Sequence, residues 1–242
     1  MSASMSFPLR VLPDKPMRRT HCVDCATQSG CPLGKLPNAL VAQVLPHVTE
    51  RAFRRGQVLQ RQGEEAGVLR VIKSGSALMY RDESGRASVP VAIAAPGQVT
   101  GASRLVGFPN PLTVIAMSDT RTCELDVASL ERLGVMDDPE FRRPLGEAVF
   151  RTLSILADWA RVTRLPGVRT QLAAALVAMG AQQKSERIRL PGHVVLAELL
   201  GVTRESVARA MGALENDGHI TRLGRTYCEL HLPQLKTLTD PA

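Results

Sequence analysis

The chain has 242 residues, of which 44% are hydrophobic, and this is enough for two modest domains with packed cores. It contains no apolar run of about 18 residues, so no membrane span is expected. Its first residues lack the continuous apolar stretch of a secretory signal, so a cytoplasmic protein is expected. The net charge of +7 favours an anionic partner such as nucleic acid, while the aromatic content of 3% argues against a protein that binds single strands by base stacking.

Residues 1–37 are rich in proline, cysteine and arginine and show no helical period, so we expect an extended arm and a cysteine loop. Three of the five cysteines, Cys22, Cys25 and Cys31, lie in this loop. In a reducing compartment, clustered cysteines bind metals or carry out redox chemistry more often than they form disulfides. Their spacing alone fits structural zinc and an iron–sulfur cluster equally well.

Residues 38–138 are expected to form a strand-rich domain. A short helix that ends near Pro46 is predicted at its start. From residue 50 to residue 130, short apolar runs are separated by Gly, Pro, Asp or Ser, which is typical of strands joined by turns. The last predicted strand is TCELDVASL, at 122–130. Many short strands at close spacing predict an antiparallel barrel or jelly roll.

Residues 139–166 change to a helical period. Pro139 and Pro144 mark the entrance of the predicted helix, and LPG at 165–167 marks its exit. Apolar side chains recur at steps of four and three, which forms a narrow seam like that of a two-stranded coiled coil. A helix packed on its own domain is the alternative, but a position between two domains favours a homodimer contact. The predicted dimerisation seam consists of Val149, Leu153, Leu156, Ala160 and Thr163.

Residues 167–242 contain a helix-turn-helix pattern. A short apolar helix over 193–200 stops at Gly201, and a second helix runs from Arg204 to about Asp217. One face of the second helix carries charged side chains near its beginning and small side chains further along, as a recognition helix requires. An ordinary amphipathic helix with a charged surface is the alternative. The residues predicted to contact DNA from this helix and its N-cap are Thr203, Arg204, Glu205, Ser206, Ala208 and Arg209.

The charged residues of the second helix suit the recognition of base edges. Arg204 and Arg209 can donate to guanine O6 and N7, and Glu205 can accept from cytosine N4. After this helix, the sequence alternates around a Leu-Gly-Arg turn, which predicts a β-hairpin wing. Arg222 and Arg225 of the wing are expected to contact phosphate groups. The buried face of the helix is predicted to consist of Val207, Ala210, Met211 and Leu214.

The order of the predicted elements, a strand barrel, a long seam helix, a helix-turn-helix and a wing, resembles that of the CRP/FNR family of bacterial transcription regulators. The resemblance covers about residues 20–232 and is carried by RRGQVLQRQGEE, VIKSGSALMYRDESGR, PGQVTGASRL and GVTRESVARAMGALENDGHI. It implies an α+β fold with an N-terminal antiparallel, jelly-roll-like β-roll sensor domain, a long dimerisation helix and a C-terminal winged helix-turn-helix domain. It also implies a homodimer on palindromic double-stranded DNA, with RNA polymerase as a further partner.

The cyclic-nucleotide branch of this family has a Gly-Glu pair and then an Arg-Ser or Arg-Thr pair in its phosphate cassette. At the corresponding places this chain has Gly101-Ala102 and NPLTV at 110–114, so both the Glu and the Arg are missing. Without that Arg, a cyclic phosphate has no charged partner there. Cyclic AMP and cyclic GMP are therefore not expected as ligands.

The oxygen-sensing FNR branch carries an N-terminal C-x2-C-x5-C motif and a further cysteine in the β-roll. The loop cysteines have this spacing, and Cys123 lies where the fourth ligand belongs. The resemblance therefore implies a 4Fe-4S cluster, which four thiolates can hold, on Cys22, Cys25, Cys31 and Cys123. The alternative is a regulator stabilised by zinc, with another ligand such as haem in the β-roll. Cys228 in the wing is expected to be a packing residue.

The expected function combines the sensor with the DNA-binding domain. The Arg-Glu-x-x-x-Arg motif at 204–209 resembles the CRP type, which the family pairs with a TGTGA-like half-site. By resemblance, an intact cluster favours the dimer, and oxygen or nitric oxide relaxes the cysteine loop and weakens the seam. A thiol redox enzyme is the alternative from another class, but it needs a low-pKa thiol beside a base. We therefore expect a transcription regulator that is not an enzyme.

Overall fold

The computed structural model describes Cys22 and residues 25–83, 88–224 and 226–239. The chain divides into two compact units, which are Met1–Ser88 with Ile93–Ser154, and Val89–Ala92 with Ile155–Ala242. Within the described ranges, no helix is both long enough and apolar enough to cross a lipid bilayer. Of the predicted features, most of the arm within 1–37 and the wing residue Arg225 lie outside these ranges.

A short helix precedes two antiparallel sheets. Helix α1 (Asn38–Val44) leads into a 3-10 turn that contains Pro46, as predicted. The strands in the described part of the chain are β1 (Val48–Phe53), β2 (Val58–Gln60), β3 (Val68–Ser74), β4 (Ala77–Arg81), β5 (Val89–Ala94), β6 (Val99–Thr100), β7 (Thr113–Ala116) and β8 (Thr120–Asp126). The sheet orders are β1-β8-β3-β6 and β2-β7-β4-β5. The pairs β1–β8, β3–β8, β3–β6, β2–β7 and β4–β7 are antiparallel, which confirms the predicted strand-rich, antiparallel architecture.

Strand β8 ends earlier than the sequence indicates. The run at 122–130 is predicted as a single strand, but the strand stops at Asp126. The Asp126 carboxylate accepts a hydrogen bond from Ser129 N at 2.8 Å and caps helix α2 (Val127–Arg132). The strand prediction is therefore wrong for residues 127–130, because the capping side chain ends the strand although the apolar pattern continues.

The cysteine loop packs into the core beside the first sheet. Cys123 on β8 lies opposite Glu50 on β1 and opposite Val71 on β3. Directly opposed residues of antiparallel strands point to the same face, so these three side chains share a face of the sheet. The buried cluster on this side includes Cys22, Cys31, Leu33, Leu36, Leu40, Val44, Leu69, Val71, Val99, Cys123, Leu125, Phe141 and Leu145. The loop is therefore part of the hydrophobic core.

Helix α3 (Pro139–Val162) is the long helix that was predicted within 139–166. Its first half contributes Phe141, Leu145 and Ala148 to the buried cluster. These side chains recur at steps of four and three, which is the spacing of one face of an α-helix. The opposite face of this half is exposed, so the helix is amphipathic here and has a second surface that the described chain does not cover.

The second unit is a winged helix-turn-helix. Its elements are α4 (Val168–Gln183), β9 (Arg187–Arg189), α5 (His193–Leu200), α6 (Arg204–Asn216), β10 (Ile220–Arg222), β11 (Tyr227–Leu230) and α7 (Leu232–Thr239). The strands form an antiparallel sheet in the order β10-β11-β9. Helices α5 and α6 begin at the predicted residues, whereas β9 and α7 were not predicted. As predicted, α6 buries Val207, Ala210, Met211 and Leu214.

Candidate functional site

Four cysteines from two distant parts of the chain line the same small pocket. Cys22, Cys25 and Cys31 come from the loop, and Cys123 comes from β8. All four are free thiols. Cys25 is half-buried and the other three are buried, with Cys123 only 5% exposed. The structure thus brings together the residues that the sequence singles out as metal ligands.

The loop is held in shape by its own backbone. Cys31 N donates to Thr27 O at 3.0 Å, and Gln28 N donates to Cys25 O at 2.9 Å. At Gly34, an added Cβ would lie 2.5 Å from Gln28 O, so a side chain there would push the loop open. These contacts turn the chain back on itself between Cys25 and Cys31, and both thiols thereby reach the pocket.

The Thr27 hydroxyl connects the loop to β3. Its oxygen lies 3.1 Å from Cys25 Sγ and 3.2 Å from the carbonyl oxygen of Lys73. A hydroxyl has one proton and a carbonyl can only accept, so Thr27 donates to Lys73 O and accepts from the Cys25 thiol. The sequence reasoning missed Thr27, because no local pattern indicates a contact between residues so far apart along the chain.

A buried ion pair lies beside the pocket. Lys73 lines the pocket and pairs with Glu50 at 2.9 Å between Nζ and Oε2, and Glu50 is 3% exposed. Arg121, two residues before Cys123 on β8, makes a second ion pair with Glu50. Two cations therefore contact one buried carboxylate beside the pocket.

Burial makes three of the thiols weak acids. It raises the pKa of Cys123 to about 12, and it also raises the pKa of Cys22 and of Cys31. Neighbouring cysteines add to each of these rises, whereas the charge of Lys73 opposes the rise in the pKa of Cys22 and of Cys123. Because the thiolate is the form that binds metals, a bound metal would have to displace the protons of these thiols.

The donor set suits a metal group held by four thiolates. Among the described residues, no three His, Cys, Asp or Glu side chains are placed so that they could hold a single metal ion. A tetrahedral zinc site has Zn–S bonds of about 2.3 Å and hence sulfurs about 3.8 Å apart, whereas the four ligands of a 4Fe-4S cluster are separated by the cluster itself. The pocket has a volume of about 10 Å³. The pocket is therefore small, and its fit to a cluster lies in the chemistry of its donors, four free thiols of which three share one loop.

Helix α3 carries an exposed apolar stripe, formed by Val149, Phe150 and Leu153. Their exposed fractions are 44%, 70% and 59%. Further along the predicted seam, Leu156 is half-buried, and Ala160 and Thr163 are exposed. The sequence reasoning missed Phe150 because the predicted seam steps by four residues from Val149 to Leu153 and therefore skips position 150. The run of three apolar residues at 148–150 is the signal that could have identified it.

The beginning of α6 forms a hydrogen-bonded network on an exposed face. Thr203 Oγ1 accepts from Ser206 N at 3.2 Å and donates to Ser206 Oγ at 3.0 Å, which makes Thr203 the predicted N-cap. Ser206 Oγ also accepts from Arg209 Nη2 at 3.1 Å. Arg204, Glu205, Ala208 and Arg209 are exposed, and Ser206 is half-exposed. The guanidinium of Arg209 is thus placed by the helix itself.

The wing places one of its two predicted phosphate-contacting residues in an ion pair. Arg222 Nε donates to Glu215 Oε2 at 2.6 Å, and the backbone N of Arg222 donates to Glu215 Oε1 at 3.2 Å. A phosphate contact by Arg222 would therefore compete with Glu215 at the end of α6. Arg225 lies outside the described residues. Cys228 is fully buried in the wing, as expected, and burial raises its pKa to about 11.

The segment that resembles a phosphate cassette forms a compact turn. Gly101 has a φ of +79°, and an added Cβ there would lie 2.3 Å from Val68 O, so only glycine fits. A 3-10 turn at Ala102–Val106 follows. Its Arg104 is paired with the exposed Glu65 at 3.3 Å. Position 102 is an alanine, so the turn offers no acidic side chain there.

Known families match both units of the chain. The family described as "Cyclic nucleotide-binding domain" matches residues 50–135. The family described as "Crp-like helix-turn-helix domain" matches residues 170–239. The first match begins within β1 and includes the rest of the two sheets, with Cys123 on β8. The second match begins within α4 and extends to the end of α7.

Two curated regulators and one solved structure align with most of this chain. The transcriptional activator protein FnrA of Stutzerimonas stutzeri is 23% identical over 86% of this chain and 88% of its own. The transcriptional activator protein anr of Pseudomonas aeruginosa is 22% identical over 94% of this chain and 92% of its own. The solved structure of FixK2 from Bradyrhizobium japonicum superposes with a TM-score of 0.68 at 22% identity, over 81% of this chain and 98% of FixK2.

Proposed function

Because the chain belongs to the CRP/FNR family of DNA-binding transcription regulators, we propose that it is a cytoplasmic homodimer that responds to oxygen, or to nitric oxide, through a 4Fe-4S cluster. In this proposal the cluster is held by the four thiols of the pocket and controls dimerisation. RNA polymerase is the proposed downstream partner, by analogy with the family. No catalytic step is part of the proposal.

The observation that carries this proposal is the meeting of the four thiols. Three of them lie on a loop and the fourth, Cys123, lies on a sheet strand about ninety residues later. When bound, a 4Fe-4S cluster supplies an oxygen-labile link between that loop and that strand. Thr27 and Lys73 support the site, because Thr27 contacts a ligand sulfur and Lys73 places a cation beside two of the thiols.

A cluster is proposed in preference to a single zinc ion because of the family resemblance. The C-x2-C-x5-C motif and Cys123 match the cysteines of the FNR branch, whereas the spacing alone fits zinc equally well. Cyclic AMP and cyclic GMP are not the proposed signals, because the cassette turn lacks the Glu and the Arg that bind them in the family.

For DNA recognition, we propose that α6 enters the major groove of a palindromic site. Arg204, Glu205 and Arg209 would contact base edges. Thr203, Ser206 and Ala208 would line the same face and allow close approach to the DNA. TGTGA-like half-sites are proposed from the resemblance, about one helical turn apart. Arg225 would contact a phosphate group. Arg222 would do the same once a phosphate replaces Glu215 as its ion-pair partner.

The exposed stripe of α3 is proposed as the dimer contact, together with Leu156, Ala160 and Thr163. Leu153→Asp is expected to raise the dimer dissociation constant by about 100-fold or more. Burial of a leucine contributes about 1.5–3 kcal/mol, and a symmetric interface contains the residue twice. Analytical ultracentrifugation of the anaerobic protein measures the change.

Phe108→Asp is the matched control for Leu153→Asp, because it places the same charge at another exposed apolar residue, 66% exposed. This variant should dimerise as the wild type does. If Leu153→Asp also dimerises normally, the stripe is not the dimer contact.

Metal analysis of anaerobically purified protein tests the proposed cluster. About four iron and four acid-labile sulfide per chain are expected, with a visible absorption that is lost in air. Zinc, or no metal, would contradict the cluster while leaving DNA binding intact. Iron without sulfide, with a haem spectrum, would support the haem alternative.

A further inference from the structure

An arginine of α3 holds the cysteine loop at the residue next to a proposed ligand. Arg151 Nη2 donates to the carbonyl oxygen of Gly30 at 3.1 Å, and Gly30 directly precedes Cys31. We propose that Arg151 is a positioning residue that makes the exposed stripe of α3 depend on the conformation of the cysteine loop. This inference rests on the proposed function, since it names the contact through which the cluster site would influence dimerisation.

The carbonyl that Arg151 binds is also closely packed on the sheet side. Gly97 has a φ of +89°, and an added Cβ there would lie 2.9 Å from Gly30 O and 3.1 Å from Gly30 C. Gly97 N in turn donates to Ile72 O at 2.8 Å, which ties this turn to β3. Gly30 therefore lies between this turn and the guanidinium, and a displacement of the loop would change the contact with Arg151.

The position of Arg151 on α3 connects it to the stripe. It directly follows Phe150 and precedes Leu153 by two residues, so its contact with the loop lies on the same helical turn as the stripe. Arg151 is half-buried, whereas Phe150 and Leu153 are 70% and 59% exposed. Release of the guanidinium would therefore loosen the turn that presents the two most exposed apolar side chains of the helix.

A second contact joins the same two elements one helical turn earlier. Lys35 Nζ lies 2.8 Å from Glu147 Oε2, and Lys35 is four residues after Cys31. Glu147 and Arg151 are separated by one turn, so they lie on the same side of α3. The loop is thus docked on α3 at two points, one on each side of Cys31 in the chain.

Arg151 also acts electrostatically on the site. Burial raises the pKa of Cys31, and the positive charge of Arg151 opposes that rise. A variant can therefore affect metal loading as well as coupling, and the two effects have to be measured separately. Iron content reports the effect on metal loading. The difference in dimerisation between metal-loaded and metal-free protein reports the effect on coupling.

The test is a comparison of dimer dissociation constants for full-length wild type and Arg151→Ala, each anaerobically loaded and metal-free. In the wild type, loading should strengthen the dimer. In Arg151→Ala, the ratio of the metal-free to the loaded dimer dissociation constant is expected to be about tenfold smaller than in the wild type, because the loop no longer holds the helix. The dissociation constant of the metal-free dimer is expected to be unchanged. Arg142→Ala removes the same charge from an exposed position of the same helix, and it should behave as the wild type does.

Several results would overturn the inference. Arg151→Ala that loads about four iron and keeps the full effect of loading would show that another contact transmits the signal. An equal weakening of loaded and metal-free dimers would show a merely structural role. If Arg151→Ala loads less iron, its dimer dissociation constant is measured on the fraction that carries about four iron per chain, and it is judged by the same criteria. A wild type without iron and sulfide would instead overturn the proposed function itself, which the metal analysis shows separately.

Discussion

Cys123→Ser is expected to purify anaerobically with less than one iron per chain and to show no change in DNA binding on exposure to air. Cys123 provides the fixed point of the site, because it is the cysteine on the sheet and is 5% exposed, whereas the other three share the loop. A serine oxygen is a poor replacement for a thiolate at iron. Iron and sulfide assays, followed by DNA binding before and after air, measure the result.

Cys228→Ala is the control for this experiment, because Cys228 is fully buried in the wing and does not line the pocket. It should retain the metal content and the air response of the wild type, although it leaves a small cavity. Cys123→Ser with about four iron and an unchanged air response would show that Cys123 is not a ligand. In the same way, Cys25→Ala with an intact response to air would contradict the proposal that the loop cysteines bind the cluster.

Arg209→Ala is expected to lower affinity for the preferred DNA site by at least about 30-fold. A bidentate contact to a base contributes about 1–3 kcal/mol of discrimination, and a dimer on a palindrome makes it twice. Arg209 is exposed on α6 and is already oriented by Ser206 at 3.1 Å, so its loss removes a preorganised donor. The measurement uses a duplex selected by the wild-type protein from a random library, with a scrambled duplex for non-specific binding.

Lys236→Ala is the matched control for Arg209→Ala, because it removes one positive charge from an exposed position of α7, outside the helix-turn-helix pair. It should keep the affinity and the preferred sequence of the wild type. Arg209→Ala should retain weak non-specific binding, which depends mainly on phosphate contacts. If Arg209→Ala selects the same sequence with the same affinity as the wild type, α6 does not read bases through this residue.

The elements of the DNA-binding unit were predictable because local signals agree there. Gly201 ends α5, Thr203 caps α6, and the apolar positions of α6 follow a helical period, so the helices begin where they were expected. Strand β9 was missed because three residues are too few for a period to be visible. At β8 the apolar pattern continues past the strand, and only the capping bond of Asp126 reveals the start of α2.

The meeting of the four thiols was predictable from the sequence, but their surroundings were not. Cysteine spacing and a family resemblance identified the four thiols, which the structure places in the same pocket. The contacts of Thr27 with Lys73 and of Arg151 with Gly30 join residues far apart in the chain. Such contacts depend on how the loop, the sheet and α3 pack, and no local sequence period encodes them.

Sedimentation equilibrium on one anaerobic sample, before and after exposure to air, tests the central claim most directly. Iron and sulfide content and binding to the selected duplex are measured on the same material. A dimer with iron and sulfide that binds DNA, and that dissociates and releases the DNA as the visible absorption is lost in air, is the result that we predict. A dimer whose dissociation constant and DNA affinity are unchanged by air would contradict oxygen control of dimerisation through the cysteine pocket.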